Sequence, residues 1–426
     1  MIDIELLRTN PELFRDSMRA RNYDPASIDQ FLAIDATWRS QTQEVETMRA
    51  EQKKIGEARK IEEAKALKEK IAGAQGKLRE VEQERDQLVR LIPNLLHANA
   101  PRGTSEEDNI ILRTISKKPK LDFPVKDHLE LGTNLGIIDT ERAAKVSGSR
   151  FGYLLGGAAQ LELALIQFAL NTLTNENLLK KIAKKAKLTV PAKPFTFVIP
   201  PTLIKSEMMS AMGYTERGGD EIYKLQDDDL VLVGTAEQAL GPMHSDETLT
   251  VEELPRRYLG FSSSFRREAG SHGKDTKGIL RVHQFDKLEM LSITTKEESE
   301  NEHKLLLAIQ EYLMQSLDLH YQVLNVCSAD LGDPAAAKFD IETWMPGQNK
   351  YRETSSTSNT TDFQSRRLGI KYRQGQETNF AHLINGTAFA IGRTLIAIIE
   401  NNQTKQGTVN IPKALQKYTG FKEIKN

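Results

Sequence analysis

The sequence predicts an α+β protein, an antiparallel sheet flanked by helices and preceded by an N-terminal antiparallel coiled-coil arm. Three observations carry this expectation. Residues 28–92 contain no proline and repeat their apolar positions with a period of 3.5. Beyond about residue 125, short β-branched and aromatic runs alternate with turn residues. Those runs follow one another largely without the helical crossovers that parallel strands require.

The arm comes first. Phe31, Ile34, Trp38, Gln41, Val45, Met48, Gln52 and Ile55 advance by alternating steps of three and four. Leu67, Ile71, Ala74, Leu78, Val81, Arg85, Leu88 and Ile92 do the same. The phase breaks over Gly56–Glu63, which predicts a turn that folds two helices back on each other. Roughly 30 residues per helix, at ~1.5 Å each, give a reach of about 45 Å. Gln41, Gln52 and Arg85 suit a seam that is partly solvated. Lys53, Lys54, Arg59, Lys60, Lys65 and Lys68 gather toward the tip among glutamates. An isolated hairpin of this kind is more often an oligomerisation device, and a tip charge run is usually solvated surface. The reach nevertheless suits contact with a large ligand.

In the remainder, helices are expected at Ala158–Thr174, Lys296–Leu317 and Arg393–Asn401. Phe195–Ile199 reads as a short strand stopped by Pro200-Pro201. Further strands are expected at Leu230–Val233, Arg257–Phe265, Lys287–Ile293, Tyr321–Val326, Ala337–Trp344 and Arg352–Ser356. The lysine-rich stretch from Lys180 to Pro194 reads as a solvated loop.

Size and charge narrow the function. A chain of 426 residues suggests two or three domains, here 1–105 and 106–426. Its 58 basic and 59 acidic residues argue against wholesale coating of nucleic acid but allow local basic surfaces. The single cysteine, Cys327, excludes an internal disulfide and a four-cysteine zinc site. The eight histidines show no metal-ligand spacing, so no zinc is expected. Met1–Glu5 carries no secretion signal, and the apolar runs fall far short of the ~20 residues of a spanning helix. A soluble cytoplasmic protein with no membrane partner is expected.

The densest chemistry lies in Phe265-Arg266-Arg267-Glu268, a Gly270–Gly278 loop, and Arg281-Val282-His283-Gln284-Phe285-Asp286-Lys287-Leu288-Glu289. On strands, Arg266 and Glu268 share one face, as do Arg281, Phe285 and Glu289. Guanidiniums suit phosphate oxygens, an aromatic face suits a purine, and carboxylates suit an ammonium group or magnesium. Arg-x-Glu alone would be an ordinary surface ion pair. The whole thread favours a site.

That thread resembles the second signature motif of class II aminoacyl-tRNA synthetases, in the form found in seryl-tRNA synthetases. Phe197–Pro201 resembles the first signature, and Asn385-Gly386-Thr387-Ala388-Phe389-Ala390-Ile391-Gly392-Arg393-Thr394 the third. Thr235-Ala236-Glu237 resembles the serine-pocket motif, Tyr351–Ser356 the late ATP-site strand, and the N-terminal hairpin the tRNA-binding arm. The resemblance implies a catalytic sheet of six to seven antiparallel strands and an enzyme that activates serine with ATP and Mg2+. It implies transfer to tRNA(Ser), and also to tRNA(Sec), by a homodimer joined through the first signature.

The same resemblance implies roles for residues. Arg266 and Arg393 would be catalytic, Arg266 on the α-phosphate and Arg393 between adenine and γ-phosphate. Glu268 would read the adenine amine, Phe285 stack on the ring, and Arg281 approach the γ-phosphate. The implied ATP site also includes Arg267, Glu353, Thr354, Ser355 and Ser356, with Glu353 and Ser356 holding Mg2+. Thr235, Ala236, Glu237, Glu289 and Thr387 would form the serine pocket, Glu289 on the ammonium, Glu237 and Thr387 on the hydroxyl. Three departures stand out. The stretch Lys180–Pro194 is longer than usual before the first signature, its lysines reading as tRNA contacts or, more commonly, as a solvated loop. Serine is usual where this chain has Arg267, whose side chain alternation directs away from Arg266. Serine-glycine-leucine is commoner than Thr387-Ala388-Phe389, and the extra methyl would tighten the serine pocket. A carrier-protein ligase of the same descent would lack the long hairpin. A non-catalytic scaffold would have lost Arg266, Glu268, Glu289 or Arg393. His272 and His283 read as loop and sheet-face residues, and Cys327 as a small buried hydrophobe.

Overall fold

The computed structural model describes residues 1–57, 61–269 and 277–425. The chain divides into two compact units, Met1–Leu95 and Leu96–Asn426. Among the described residues, no helix is long and apolar enough to cross a membrane.

The first unit is helical: α1 (Ile4–Thr9), α2 (Pro11–Ala20), α3 (Ala26–Glu57) and α4 (Ile61–Arg90). Asp3 caps α1 by accepting from the Leu6 amide at 3.0 Å. Helices α3 and α4 run antiparallel. The Arg85 guanidinium lies 4.5 Å from the Trp38 ring centroid near one end, and Gln52 Nε2 donates to the Ala64 carbonyl at 3.4 Å near the other. Along the seam, Phe31, Val45 and Ile71 are buried. Arg85 is not solvated as a partly wet seam would leave it. Its side chain is 12% exposed and donates to Asp35, just off the seam, at 2.8 Å. Arg8 reaches the same carboxylate through Nε and Nη2, each at 2.8 Å. The turn expected at Gly56–Glu63, with Arg59 and Lys60, falls partly outside the described residues.

The second unit is built on one large sheet. Among the described residues it has eight strands: β1 (Ile110–Ile115), β2 (Thr196–Val198), β3 (Arg256–Phe265), β4 (Gln284–Thr294), β5 (Tyr321–Asn325), β6 (Ala337–Met345), β7 (Lys350–Asn359) and β8 (His382–Ala390). Their spatial order is β1-β5-β6-β7-β8-β4-β3-β2. Every pairing is antiparallel except that of β2 with β3, which is parallel. The sheet is therefore mixed and larger than the expected six to seven antiparallel strands. β1 and β8 were not foreseen, and the expected strand at Leu230–Val233 instead pairs with Leu203–Lys205 in a separate ribbon.

Helices α5 (Gly156–Leu173), α6 (Glu176–Lys185), α7 (Glu237–Leu240), α8 (Ser299–Ser316), α9 (Phe363–Leu368) and α10 (Ile391–Asn401) pack around the sheet. The loop expected from Lys180 is the end of α6. Leu179, Ile182 and Ala183 are buried at helical spacing beneath the lysines, and Asn175 caps the helix by accepting from the Leu178 amide at 3.0 Å. One face of the sheet is apolar. Leu288 and Met290 of β4 join Leu305, Leu306 and Ile309 of α8 in the main core. A buried ion pair ties the same layers together, with Arg257 Nε donating to Glu302 Oε2 at 2.9 Å. The other face of β4 carries Phe285, Lys287 and Glu289, then continues as Leu291 and Ile293 into a second apolar cluster with Met212, Leu240 and Leu383. The crevice lies on this face.

Candidate active site

Strand period two places Phe285, Lys287 and Glu289 on the crevice face of β4. Lys287 Nζ lies 2.6 Å from Glu289 Oε2 and donates to Thr235 Oγ1 at 3.3 Å. Thr387 stands directly across from Glu289 in the β8–β4 register, and its hydroxyl donates to Glu289 Oε2 at 3.2 Å.

The Arg-x-Glu segment lies just past the end of β3 rather than in a strand. The Arg266 amide still donates to the His283 carbonyl at 3.0 Å, which extends the pairing by one step. Glu268 then adopts φ +52°, a left-handed conformation uncommon for a residue with a Cβ. This turn, not strand alternation, keeps both side chains in the crevice. Arg281 also precedes its strand, and its Nη1 donates to Glu268 Oε2 at 2.9 Å. The Arg266 guanidinium stands 5.3 Å from the Phe285 ring centroid and donates to the Gly234 carbonyl from Nε and Nη2, each at 3.3 Å.

Two bulges finish the walls. In the β6–β7 ladder, Ile341 faces Ser355 and Glu342 faces Glu353, so Thr354 is the extra residue. Without it, Glu353 and Ser356 would lie on opposite faces; with it, both line the crevice. A second irregularity follows Thr387 on β8. Arg393, in the first turn of α10, donates from Nη1 to the Glu353 carbonyl at 2.8 Å and to Glu353 Oε2 at 3.2 Å.

Two adjoining pockets share Arg266, Glu268, Arg281, Glu353 and Arg393; Phe285 lines the first and Glu289 the second. Arg266, Glu268, Arg281, Phe285, Glu289 and Arg393 thus border one crevice. Thr235, Glu237 and Thr387 join them. Arg267 and Ala236 do not. Arg267 turns outward toward Tyr223, 5.9 Å from its ring centroid, and Ala236 is buried behind the wall. Thr354 and Ser355 line the wall, but their hydroxyls serve the framework: Thr354 bonds Thr343 at 2.7 Å, and Ser355 donates to the Thr387 carbonyl.

Charge is unevenly distributed. Burial works against ionisation of Glu353, but Lys338, Arg393, Arg266 and Lys287 outweigh it and hold the carboxyl at about 2. With the half-buried Ser356 hydroxyl, this permanently charged carboxylate is a hard-oxygen donor set that fits Mg2+. Glu237 behaves oppositely. Burial, with help from Glu289, raises its carboxyl to about 7.

Three crevice groups, Lys287, Lys338 and Tyr214, and one residue behind the wall, Gln364, escaped the sequence reading. Lys287 was legible, since period two places it between Phe285 and Glu289. Lys338 lies on β6, while Tyr214 and Gln364, which bond Glu237, are distant in sequence and carry no motif. His283 is a framework residue, its Nδ1 3.0 Å from the Arg266 carbonyl. His272 and the Gly270–Thr276 part of the loop lie outside the described residues. The loop's return is anchored where the Ile279 amide donates to His128 Nε2 at 3.3 Å. Gly278 permits this approach: it has φ +72°, and a Cβ there would stand 2.1 Å from the same nitrogen.

The chain resembles known proteins over its full length. Residues 222–402 match the family model described as tRNA synthetase class II core domain (G, H, P, S and T), and residues 1–96 match the seryl-tRNA synthetase N-terminal domain. The serine–tRNA ligase of Rhodococcus opacus is 44% identical over 436 residues, covering 100% of both chains. A crystal structure of seryl-tRNA synthetase from Pyrococcus horikoshii complexed with ATP superposes with a TM-score of 0.90 at 39% identity, covering 100% of this chain and 99% of that one. The cytoplasmic serine–tRNA ligase of Naegleria fowleri in complex with AMP gives 0.86 at 33% identity, again covering 100% and 99%. With two domain models matched in order and full-length similarity to such relatives, the chain belongs to the seryl-tRNA synthetase family of class II enzymes.

Proposed function

We propose that the crevice joins serine to ATP, giving seryl-adenylate and diphosphate, and then passes serine to tRNA(Ser) and, by family, to tRNA(Sec). The observation that carries this reading is the convergence of Arg266, Phe285 and Arg393 beside Glu289 and Thr387. The first group suits a nucleotide and the second a small hydroxylated zwitterion.

In the first step a serine carboxylate oxygen attacks the α-phosphorus, and diphosphate leaves with the electron pair of the broken P–O bond. The nucleophile is already ionised, so no general base is needed. Arg266 meets the charge developing at phosphorus. Phe285 and Arg393 sandwich the adenine, and Glu268 accepts from its amine. Arg281 and Arg393 bind the γ-phosphate. Mg2+ held by Glu353 and Ser356 would neutralise phosphate charge. Glu289 takes the serine ammonium, while Glu237 and Thr387 take the hydroxyl. In the second step a ribose hydroxyl at the tRNA terminus attacks the serine carbonyl, and AMP leaves.

The remaining assignments follow. Residues 1–105 would bind tRNA, residues 106–426 would form the catalytic domain, and the enzyme would work in the cytoplasm. Exposed Leu163 on α5 and Ile199 after β2 support a homodimer through the first signature. Pyrophosphate exchange across a panel of amino acids tests the proposal. Exchange should depend on serine, and Arg266→Ala should lower it by about 10³-fold. Exchange driven by another amino acid, or retained in that variant, overturns it.

A further inference from the structure

Glu237 is gripped by Tyr214 in the pocket wall and by Gln364 behind it. The Tyr214 hydroxyl donates to its carboxylate and lies 3.1 and 3.0 Å from the two oxygens. Gln364 Nε2 donates to Glu237 Oε1 at 3.0 Å and to the Met212 carbonyl at 3.2 Å. The Gln364 amide is fixed in this orientation, because turning it over would set its Oε1 against two acceptors, the Met212 carbonyl and Glu237 Oε1. Gln364 is fully buried and does not border the crevice. Two donors therefore point at a group that is acceptor-only when ionised and would turn one of its oxygens into a donor when protonated, and Oε2 keeps acceptor capacity for a ligand.

We infer that Tyr214 and Gln364 are positioning residues that hold Glu237 as an ionised acceptor for the serine hydroxyl, and so set the discrimination between serine and alanine. The inference rests on the serine-pocket reading above. A pocket built to bond a hydroxyl rejects an analogue without one, because its buried partner is left unpaired. That rejection holds only while the carboxylate is ionised and correctly turned. Burial and Glu289 oppose ionisation of Glu237; Gln364, Lys287 and Tyr214 favour it. These are the charged and titratable groups bearing on Glu237, with Arg266 acting on Tyr214.

The test uses the full chain carrying Tyr214→Phe or Gln364→Met, with serine- and alanine-dependent pyrophosphate exchange measured from about pH 6 to 9. Each variant should raise KM for serine about tenfold near neutral pH, the usual scale for a bond to a charged group. kcat should stay within about twofold, and KM for ATP should not change. Exchange with alanine should hold, so the serine-to-alanine preference falls by the same factor. The acidic limb of kcat/KM for serine should move up by about one pH unit, because donors that favoured the charged form are gone. Equal losses for serine and alanine, or an unmoved acidic limb, would show a merely structural role and overturn the inference. Thermal melting identifies a variant that folds poorly, and the other then decides. A wild-type enzyme that ignores serine would instead defeat the underlying reading.

Discussion

With the serine-binding role proposed for it, Glu237 sets binding against stability. Its carboxyl is raised from the ordinary 4.5 to about 7, first by burial and then by Glu289. Between those values the folded chain holds a proton that the unfolded chain has released, so folding stability falls as pH rises through this window. Above it the ionised group costs about 3 kcal/mol. Glu237→Gln should therefore raise the melting temperature of ligand-free protein by several degrees near pH 8, leave it unchanged near pH 5, and abolish serine-dependent exchange. An equal shift at both pH values in differential scanning calorimetry would refute this origin. Lys287 is the counterweight, holding Glu237 down and pairing with Glu289 at 2.6 Å. Lys287→Met should raise KM for serine about tenfold near pH 7, with partial recovery toward pH 9 as Glu237 ionises. A KM that worsens steadily with pH would count against it. The difference between these groups explains what sequence could show. Lys287 follows from strand period. The partners of Glu237 do not, since Tyr214 and Gln364 reach it from 23 residues before and 127 residues after in the chain.

At the scale of elements, irregularities shape the site more than regular strands do. Expected strand faces brought Arg266 and Glu268 to one side, but the structure achieves this through a turn with a left-handed glutamate. The extra residue Thr354 does the same for Glu353 and Ser356. Neither device has a composition signature, whereas the β3–β4 pairing itself was legible from its alternation. β8 was hidden because apolar residues on both of its faces erase that alternation. In the arm, the seam was legible but its polar anchor was not. Asp35 is buried at a position outside the apolar repeat and meets Arg8, Arg85 and Arg39. Burial favours its neutral form, but bonds from Arg8 and Arg85 outweigh it and lower its pKa. Its stabilising effect is present above the ordinary carboxylate range and is lost as pH falls through the depressed value. Asp35→Ala leaves these guanidiniums without their shared partner. Discounted for the exposure of Arg8 and Arg39, the loss should be about 2 kcal/mol, concentrated in α3 and α4. Amide hydrogen exchange would read it, and unchanged protection in both helices would refute it.

On the proposed function, two tasks are divided along the chain. Every group assigned to the crevice comes from residues beyond Leu95, in the unit with the large sheet. Activation of serine needs only that crevice, a nucleotide and the amino acid. Charging also needs a large polyanion held with its end at the reacting atoms, and the long α3–α4 hairpin suits that task through phosphate contacts. Removing residues 1–95 should therefore leave serine-dependent pyrophosphate exchange within about fivefold of the full chain. Charging of tRNA(Ser) at limiting tRNA should fall by about 10³-fold, equivalent to about 4 kcal/mol of lost binding. High tRNA concentration should restore part of the rate, because the chemistry is intact and only capture is impaired. Raising salt should weaken charging by the full chain far more than it weakens exchange, since counterion release accompanies phosphate contacts but not amino-acid binding. A truncated chain that charges tRNA normally would assign the hairpin to oligomerisation instead. A truncated chain that folds yet loses exchange would show that the first unit contributes to activation itself.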